Sequence, residues 1–120
     1  MVVFSSDLLS YLKGEGWSEL LLCALEEGVT MTSVGLFEVA QGLNKVNFKD
    51  LQSKLESNGI KVQMVDADLI ARADGFRLSG CSLEVAVGLA LAVRDRVGVL
   101  CSDRKVLSLS LKRPEMIALI

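Results

Sequence analysis

Five short apolar segments alternate with longer segments of helical periodicity along this chain. The apolar segments span residues 1–4, 29–32, 60–65, 97–101 and 116–119. Their length and composition predict strands, and the 3.6-residue period between them predicts helices. Strands joined by helices favour right-handed crossovers, which give a mostly parallel sheet covered on both faces. The sequence therefore predicts a three-layer α/β/α fold around a central, mostly parallel five-stranded sheet.

Length and composition fit a single domain spanning residues 1–120. The chain has 120 residues, of which 51% are hydrophobic and 23% charged. That length is usual for one domain, and the composition is far from the polar composition of disordered chains. We expect one hydrophobic core that forms without a disulfide or metal scaffold.

Glycines and polar caps predict where several helices begin and end. Gly14 and Gly16 interrupt the first connection, so a pair of helices is expected there. Asn47 is placed to cap a helix over residues 48–55, and Ser82 to cap a helix over residues 83–94. The connections between strands are therefore expected to be helical throughout.

Composition also excludes several kinds of chemistry. The sequence has no histidine, which rules out serine and cysteine triads and the common zinc sites. Its net charge of −2 provides no global positive field for a polyanion. Carboxylates, lysines, hydroxyls and thiols remain for catalysis.

The cysteines and the lengths of the apolar runs indicate the cellular compartment of the protein. Cys23, Cys81 and Cys101 each lie in an apolar run without a CxxC motif, which predicts buried free thiols in a reducing cytoplasm. The N-terminus lacks a basic region followed by a signal-length apolar run. The longest apolar stretch, residues 85–93, is far shorter than the roughly 20 residues that span a bilayer. A cytoplasmic protein is expected.

Three acidic residues are placed where a parallel sheet binds ligands. Glu38 interrupts an apolar helix face, Glu84 lies in the first turn of the most apolar helix, and Asp103 follows the fourth strand. Clustered carboxylates repel one another unless a cation lies between them, and Mg²⁺ or Mn²⁺ held in this way can activate water against a phosphodiester. We predict that the three residues converge at the carboxyl edge of the sheet.

Each acid also has a purely structural explanation. Glu84 could interact with the dipole of its own helix, and Asp103 could be a turn residue in the Ser-Asp-Arg sequence. Glu38 is harder to explain in this way, because a carboxylate on an apolar helix face requires a partner or a pocket. Arg104 and Lys105 could meet phosphate or be solvated surface charges.

The order of these residues resembles the PIN-domain family, which includes the VapC-type toxin ribonucleases of bacterial toxin–antitoxin pairs. VVFSSDLLSYLKGE is similar to the first strand and helix, with Ser6 at the family's serine or threonine. TSVGLFEVAQGL, GCSLEVAVGLALA and VGVLCSDRKV resemble the segments carrying the later acids, here Glu38, Glu84 and Asp103. The resemblance covers nearly the whole chain and implies a PIN-like fold with these residues as catalytic metal ligands.

The chain departs from the family pattern at three positions. The family's first aspartate falls on Phe4, which cannot ligate a cation, and we expect Phe4 to be a core aromatic. The third acid is glutamate instead of aspartate, and a threonine near the last acid is replaced by Cys101. Asp7, one turn after Phe4, is either a substitute ligand or a helix cap.

Two functions follow from the resemblance. The first is a metal-dependent endoribonuclease of VapC type that uses Mg²⁺ or Mn²⁺ to cleave RNA, with activity impaired by Phe4. The resemblance further implies a homodimer and an antitoxin protein as partner. The alternative is a catalytically inactive PIN-like module that binds protein or RNA.

Overall fold

The computed structural model describes residues 1–14, 19–44, 46–77, 80–103, 106, 118 and 119. The strands in this part of the chain are β1 (Val2–Val3), β2 (Val29–Thr32), β3 (Ile60–Gln63), β4 (Val99–Leu100) and β5 (Ala118–Leu119). The helices are α1 (Ser5–Leu12), α2 (Glu19–Glu27), α3 (Ser33–Leu43), α4 (Phe48–Ser57), α5 (Ala67–Arg77) and α6 (Leu83–Asp95). The protein is therefore mixed α/β, as the sequence predicts.

The strands form a parallel sheet in the order β3-β2-β1-β4-β5. Val2 lies opposite Thr30 on one side and Val99 on the other. Four strands belong to the chain up to residue 103, where the structure is described almost continuously. Of the predicted fifth strand, residues 116–119, the structure describes Ala118 and Leu119, which form β5 and pair with β4. The structure thus supports a parallel sheet of four strands before residue 103, and the described residues Ala118 and Leu119 pair at its β4 edge.

Strand boundaries differ from the sequence prediction because helices and turns begin early. β2 has the predicted bounds, whereas β3 stops at Gln63 and β4 covers only Val99–Leu100. β1 stops at Val3 because Phe4 is already the N-cap residue of α1, with extended backbone. The polar groups that follow β1 therefore belong to a helix and not to the sheet.

The predicted helix caps are present. Asn47 Oδ1 accepts hydrogen bonds from the backbone N–H groups of Lys49 and Asp50, at 2.9 and 3.2 Å. Ser82 Oγ accepts from Val85 N at 3.3 Å and starts α6. Such bonds satisfy N–H groups that have no partner within the helix. Gly14 ends α1 with a φ of +70°, whereas Gly16 lies outside the described residues.

Helices cover both faces of the sheet. Val2 and Val99 pack into a core with α5 and α6, whereas Val3 and Leu100 pack into a second core with α1, α3 and α4. Neighbouring residues of a strand point to opposite faces, so both faces of the central strands are buried. This is the burial that the near-continuous apolar strands predict.

The three cysteines are free, but they differ in exposure. Cys101 is buried, Cys81 is half-buried and Cys23 is exposed on α2. The prediction of three buried thiols is therefore wrong for Cys23, because the helix turns this position away from the core. No helix in the described part of the chain is long and apolar enough to cross a membrane.

Phe4 is a core residue, as predicted, and it requires a glycine opposite. Its side chain is 3% exposed and lies against α6 at Gly88. A Cβ atom added at Gly88 would lie 2.4 Å from Phe4 Cε1, which is far too close for two carbon atoms. The aromatic ring at the end of β1 and the glycine on α6 therefore form a matched pair.

We predict that Gly88→Ala destabilises the protein by about 1–3 kcal/mol, because the methyl group collides with the Phe4 ring. In a Phe4→Ala background the same change should be neutral or stabilising by up to about 1 kcal/mol, through the better helix propensity of alanine. Urea denaturation of the four proteins of this double-mutant cycle measures the coupling. An equal cost in both backgrounds would contradict the pairing.

Candidate acidic site at the carboxyl edge of the sheet

The candidate site lies where the order of the strands reverses. β1 is flanked by β2 on one side and β4 on the other, so the chain winds outward in opposite directions from it. Ligands of open parallel sheets bind at the carboxyl ends of the strands beside such a switch point. Here that edge carries the first turn of α1, which follows β1, and residues 101–103, which follow β4.

Glu84 is the buried acid of this edge. It lies in the first turn of α6 and is 8% exposed. Its Oε1 accepts two hydrogen bonds from Ser5, one from the backbone N–H at 3.0 Å and one from the hydroxyl at 2.9 Å. Its Oε2 is buried and has no hydrogen-bond partner. One oxygen of the carboxylate is thus fixed and the other is free to bind.

The free oxygen of Glu84 faces the start of α3. A Cβ atom at Gly35 would lie 3.4 Å from Oε2, in van der Waals contact, so a side chain there would occupy the space next to this oxygen. The backbone N–H of Gly35 is used by the helix cap, since it donates to Thr32 Oγ1 at 3.1 Å. The glycine therefore leaves space beside Oε2 and does not itself bind the oxygen.

Asp7 lies in the first turn of α1 and contacts the segment after β4. Ser102 donates to both of its carboxylate oxygens, from the hydroxyl to Oδ1 and from the backbone N–H to Oδ2 at 3.4 Å. The two residues are 95 positions apart in the sequence. The contact thus joins α1 to the loop that carries Asp103.

The pKa of Cys101 is affected by the negative charges of this edge. The pKa of its thiol is raised from 9.0 to about 11, mainly by burial, and the charges of Asp7, Asp103 and Glu84 act in the same direction. The backbone N–H of Asp103, which donates to Cys101 Sγ at 3.2 Å, acts in the opposite direction. Three carboxylates therefore act on one buried thiol, and the thiol stays protonated at neutral pH.

Glu38 is exposed, contrary to the expectation that it is buried on an apolar helix face. Leu36 and Val39 are fully buried, and Phe37 is 53% exposed. The sequence VGLFEVA misleads because its apolar residues extend beyond the face of α3 that packs on the core. Glu38 follows Gly35 by one turn and so lies on the same side of α3 as the helix start that faces Glu84.

The structure therefore brings three acids to the surroundings of Cys101, namely two of the three predicted catalytic acids and the candidate substitute ligand Asp7. Glu84 and Asp103 are joined there by Asp7, whereas Glu38 is an exposed residue of α3. The role of these residues as metal ligands stays a prediction. Arg104 and Lys105 lie outside the described residues.

Sequence reasoning missed Ser5 and Ser102, the two serines that hydrogen-bond the acids. Ser6, which the resemblance places at the family's serine or threonine, is exposed, and the neighbouring Ser5 contacts Glu84. Ser5 follows the N-cap residue Phe4 and its side chain caps no N–H group of α1, so no local capping pattern marked it. Its partner, 79 residues away, was not visible.

The residues of the edge fit a cation held by few protein ligands. The described part of the chain contains no group of three or more histidine, cysteine, aspartate or glutamate side chains placed to hold a metal ion. Mg²⁺ is, however, commonly bound through one or two carboxylates and several waters. Glu84 Oε2, buried and without a partner, is an oxygen of this kind.

A cavity lies away from the acidic edge. It has a volume of about 520 Å³ and lies between α1, α2 and α4, with Leu8, Leu25, Leu55 and Ile60 among its lining residues. None of the acids around Cys101 lines it. Because chemistry requires reactive groups and not only volume, the acidic edge remains the better candidate for a functional site.

Comparisons with known proteins show similarity at the level of the fold. No protein-family model matches the sequence, and no curated protein matches it significantly. A chain of a toxin-antitoxin complex from Klebsiella pneumoniae is 16% identical and has a TM-score of 0.68, covering 97% of this chain and 94% of that one. The crystal structure of PAE2754 from Pyrobaculum aerophilum is 16% identical with a TM-score of 0.61, covering 98% and 87%. The protein thus has the fold of these structures.

The raised pKa of Cys101 predicts how stability depends on pH. Because the folded-state pKa is about 11 and the ordinary value is 9.0, the protonated thiol stabilises the folded state at pH values below 9.0. This contribution, about 2–3 kcal/mol from a shift of about two pKa units, should be lost as pH rises from 9.0 to about 11.

Chemical denaturation across that pH range checks this prediction. Cys101→Ala should lose less stability than the wild type between these pH values, because it lacks the titrating thiol. Cys23→Ala removes an exposed thiol and serves as the control. Parallel pH profiles for wild type and Cys101→Ala would show that the thiol does not contribute.

Proposed function

We propose that this chain is a toxin-like PIN-domain protein of a toxin–antitoxin pair, with a weak metal-dependent endoribonuclease site at the acidic edge. The observation that carries the proposal is the buried Glu84 carboxylate, whose Oε2 has no partner and whose charge acts on Cys101 together with the charges of Asp7 and Asp103. Leaving a buried carboxylate oxygen unpaired costs free energy, which a bound cation would recover.

Glu84 and Asp103 are the residues that would hold Mg²⁺ or Mn²⁺. Glu84 offers Oε2 from α6, and Asp103 offers an exposed carboxylate after β4. Glu38, one turn beyond Gly35 on the exposed side of α3, is proposed to act on the cation through water, because no three acids of the described chain are placed to hold a metal ion directly. When bound, such a cation lowers the pKa of its water and stabilises negative charge on a phosphodiester.

The partners belong to the same proposal. The fold similarity to a chain of a toxin-antitoxin complex supports an antitoxin protein as the natural inhibitor. RNA is the proposed substrate, and a homodimer is the proposed assembly. The proposed location of the protein is the cytoplasm. With a net charge of −2, the chain has to bind RNA through local contacts and the cation, not through a global field.

Phe4 favours a second candidate function, a PIN-like module that binds protein or RNA without cleaving it. The ring replaces the family's first acid and packs into the core against Gly88. In addition, Asp7 is occupied by Ser102 and so does not replace the missing ligand freely. A site with fewer acids binds a cation more weakly, and the chain in this case would act through its surface alone.

Calorimetry with Mn²⁺ separates the two functions. We expect the wild type to bind Mn²⁺, and Glu84→Gln and Asp103→Asn to lose most of the binding because each removes a proposed ligand charge. Glu38→Ala should weaken binding less, since that residue is exposed. At a hundredfold excess over Kd, Mn²⁺ should stabilise the wild type by about 2.7 kcal/mol.

Asp50→Asn is the matched control, because Asp50 is an exposed acid in the first turn of α4. The same proteins are then incubated with labelled single-stranded RNA, and cleavage should require Mn²⁺ and Glu84. A wild type that neither binds Mn²⁺ nor cleaves RNA would establish the binding module as the better function.

Restoring the missing acid is a further prediction. Phe4→Asp should raise Mn²⁺ affinity and RNA cleavage, because it adds a carboxylate directly before Ser5, the partner of Glu84. It should also lower stability by about 3–5 kcal/mol through loss of the buried ring, partly offset by a new N-cap. Phe4→Asn provides the same cap without the charge. Equal Mn²⁺ affinity in the two variants would show that position 4 does not face the site.

A further inference from the structure

The first turn of α1 is fastened to two other elements at the acidic edge. Ser5, its first residue, donates two hydrogen bonds to Glu84 of α6. Asp7, its third residue, accepts hydrogen bonds from Ser102 after β4. In both pairs one serine uses its hydroxyl and its backbone N–H on a single carboxylate. The same arrangement therefore occurs twice: α1 supplies the serine in the first pair and the carboxylate in the second.

We infer that Ser5 and Asp7 are positioning residues, which set the geometry of the acidic edge by holding Glu84 and the segment that carries Asp103. This inference rests on the proposed function for the ligand role of Glu84 and Asp103. It assigns Asp7 a task different from that of a substitute metal ligand, and it assigns Ser5 a task that the sequence did not reveal.

The geometry at Ser5 separates the two oxygens of Glu84. Both donors of Ser5 end on Oε1, at 3.0 and 2.9 Å, so this oxygen is saturated. Oε2 is left buried and without a partner, facing the space beside Gly35. A carboxylate held by one oxygen cannot rotate freely about its terminal bond. The free oxygen is therefore presented in one direction, as a ligand requires.

The backbone N–H of Ser5 has no partner within α1, because the first N–H groups of a helix lack an acceptor one turn earlier. Glu84 supplies that acceptor from another helix. The carboxylate thus caps α1 while being oriented by it, and its negative charge lies at the helix N-terminus, where it is favoured.

Asp7 acts in the other direction, from α1 to the loop. Each of its oxygens accepts one hydrogen bond from Ser102, so its carboxylate is oriented toward the loop after β4. Ser102 lies between Cys101, which is buried, and Asp103, which is exposed. Fixing Ser102 therefore fixes the point where the chain leaves the core, and with it the direction in which Asp103 emerges.

The test uses the full chain, with Mn²⁺ alone as the probe in calorimetry. Ser5→Ala and Asp7→Asn should each weaken Mn²⁺ binding by about tenfold, since hydrogen bonds to charged groups contribute on that order. Ser5→Thr keeps the hydroxyl and should bind Mn²⁺ like the wild type. The matched controls are Ser10→Ala, further along the same helix, and Asp50→Asn in the first turn of α4; both should leave binding unchanged.

A second readout does not depend on the metal. The carboxyl carbon of Glu84 is followed by NMR in metal-free protein, where Ser5→Ala should shift its resonance and Ser5→Thr and Ser10→Ala should not. The amide resonance of Ser102 should shift in Asp7→Asn and stay unchanged in Asp50→Asn. Amide spectra of all variants establish that each is folded.

The outcomes distinguish a failure of the positioning inference from a failure of the proposed function. Weakened Mn²⁺ binding in both variants with normal controls supports the inference, and wild-type binding in both overturns it. If the wild type binds no Mn²⁺, the proposed function fails, and the positioning contacts are judged by NMR alone. Unchanged Glu84 and Ser102 resonances in the variants would then overturn the inference as well.

Discussion

Taking the Glu84 carboxylate out of water costs several kcal/mol unless hydrogen bonds replace its hydration. In this protein the replacement comes from Ser5, at the first position of α1, through a backbone and a hydroxyl donor. The contact joins α1, the helix after β1, to the first turn of α6. The arrangement of the carboxyl edge depends on this contact, because it fixes α1 beside α6 and leaves one acid oxygen unsatisfied.

Phe4 and Gly88 form the apolar counterpart of that polar contact, one residue before Ser5 and one turn after Glu84. The ring fills the space that the absence of a side chain at Gly88 opens. Position 4, where the resemblance expects an acid, therefore contributes to core packing and not to the charge of the carboxyl edge.

The acidic edge and the thiol within it form one electrostatic unit. Asp7, Glu84 and Asp103 come from three different elements, and all of them disfavour a thiolate at Cys101. Each acid is placed by the backbone that follows or precedes a central strand, as expected at the switch point of a parallel sheet. The fold similarity to a chain of a toxin-antitoxin complex agrees with this architecture, while the chemistry depends on these side chains.

Local patterns in the sequence determined the alternation of strands and helices, the caps at Asn47 and Ser82, and the burial of Phe4, because each depends on neighbouring residues. They failed for Glu38, where an apolar run was broader than the buried face of its helix. The contacts of Ser5 with Glu84 and of Asp7 with Ser102 join residues 79 and 95 positions apart. Only the tertiary structure decided them, since no local periodicity records which distant side chain will occupy a helix N-terminus once the sheet has formed.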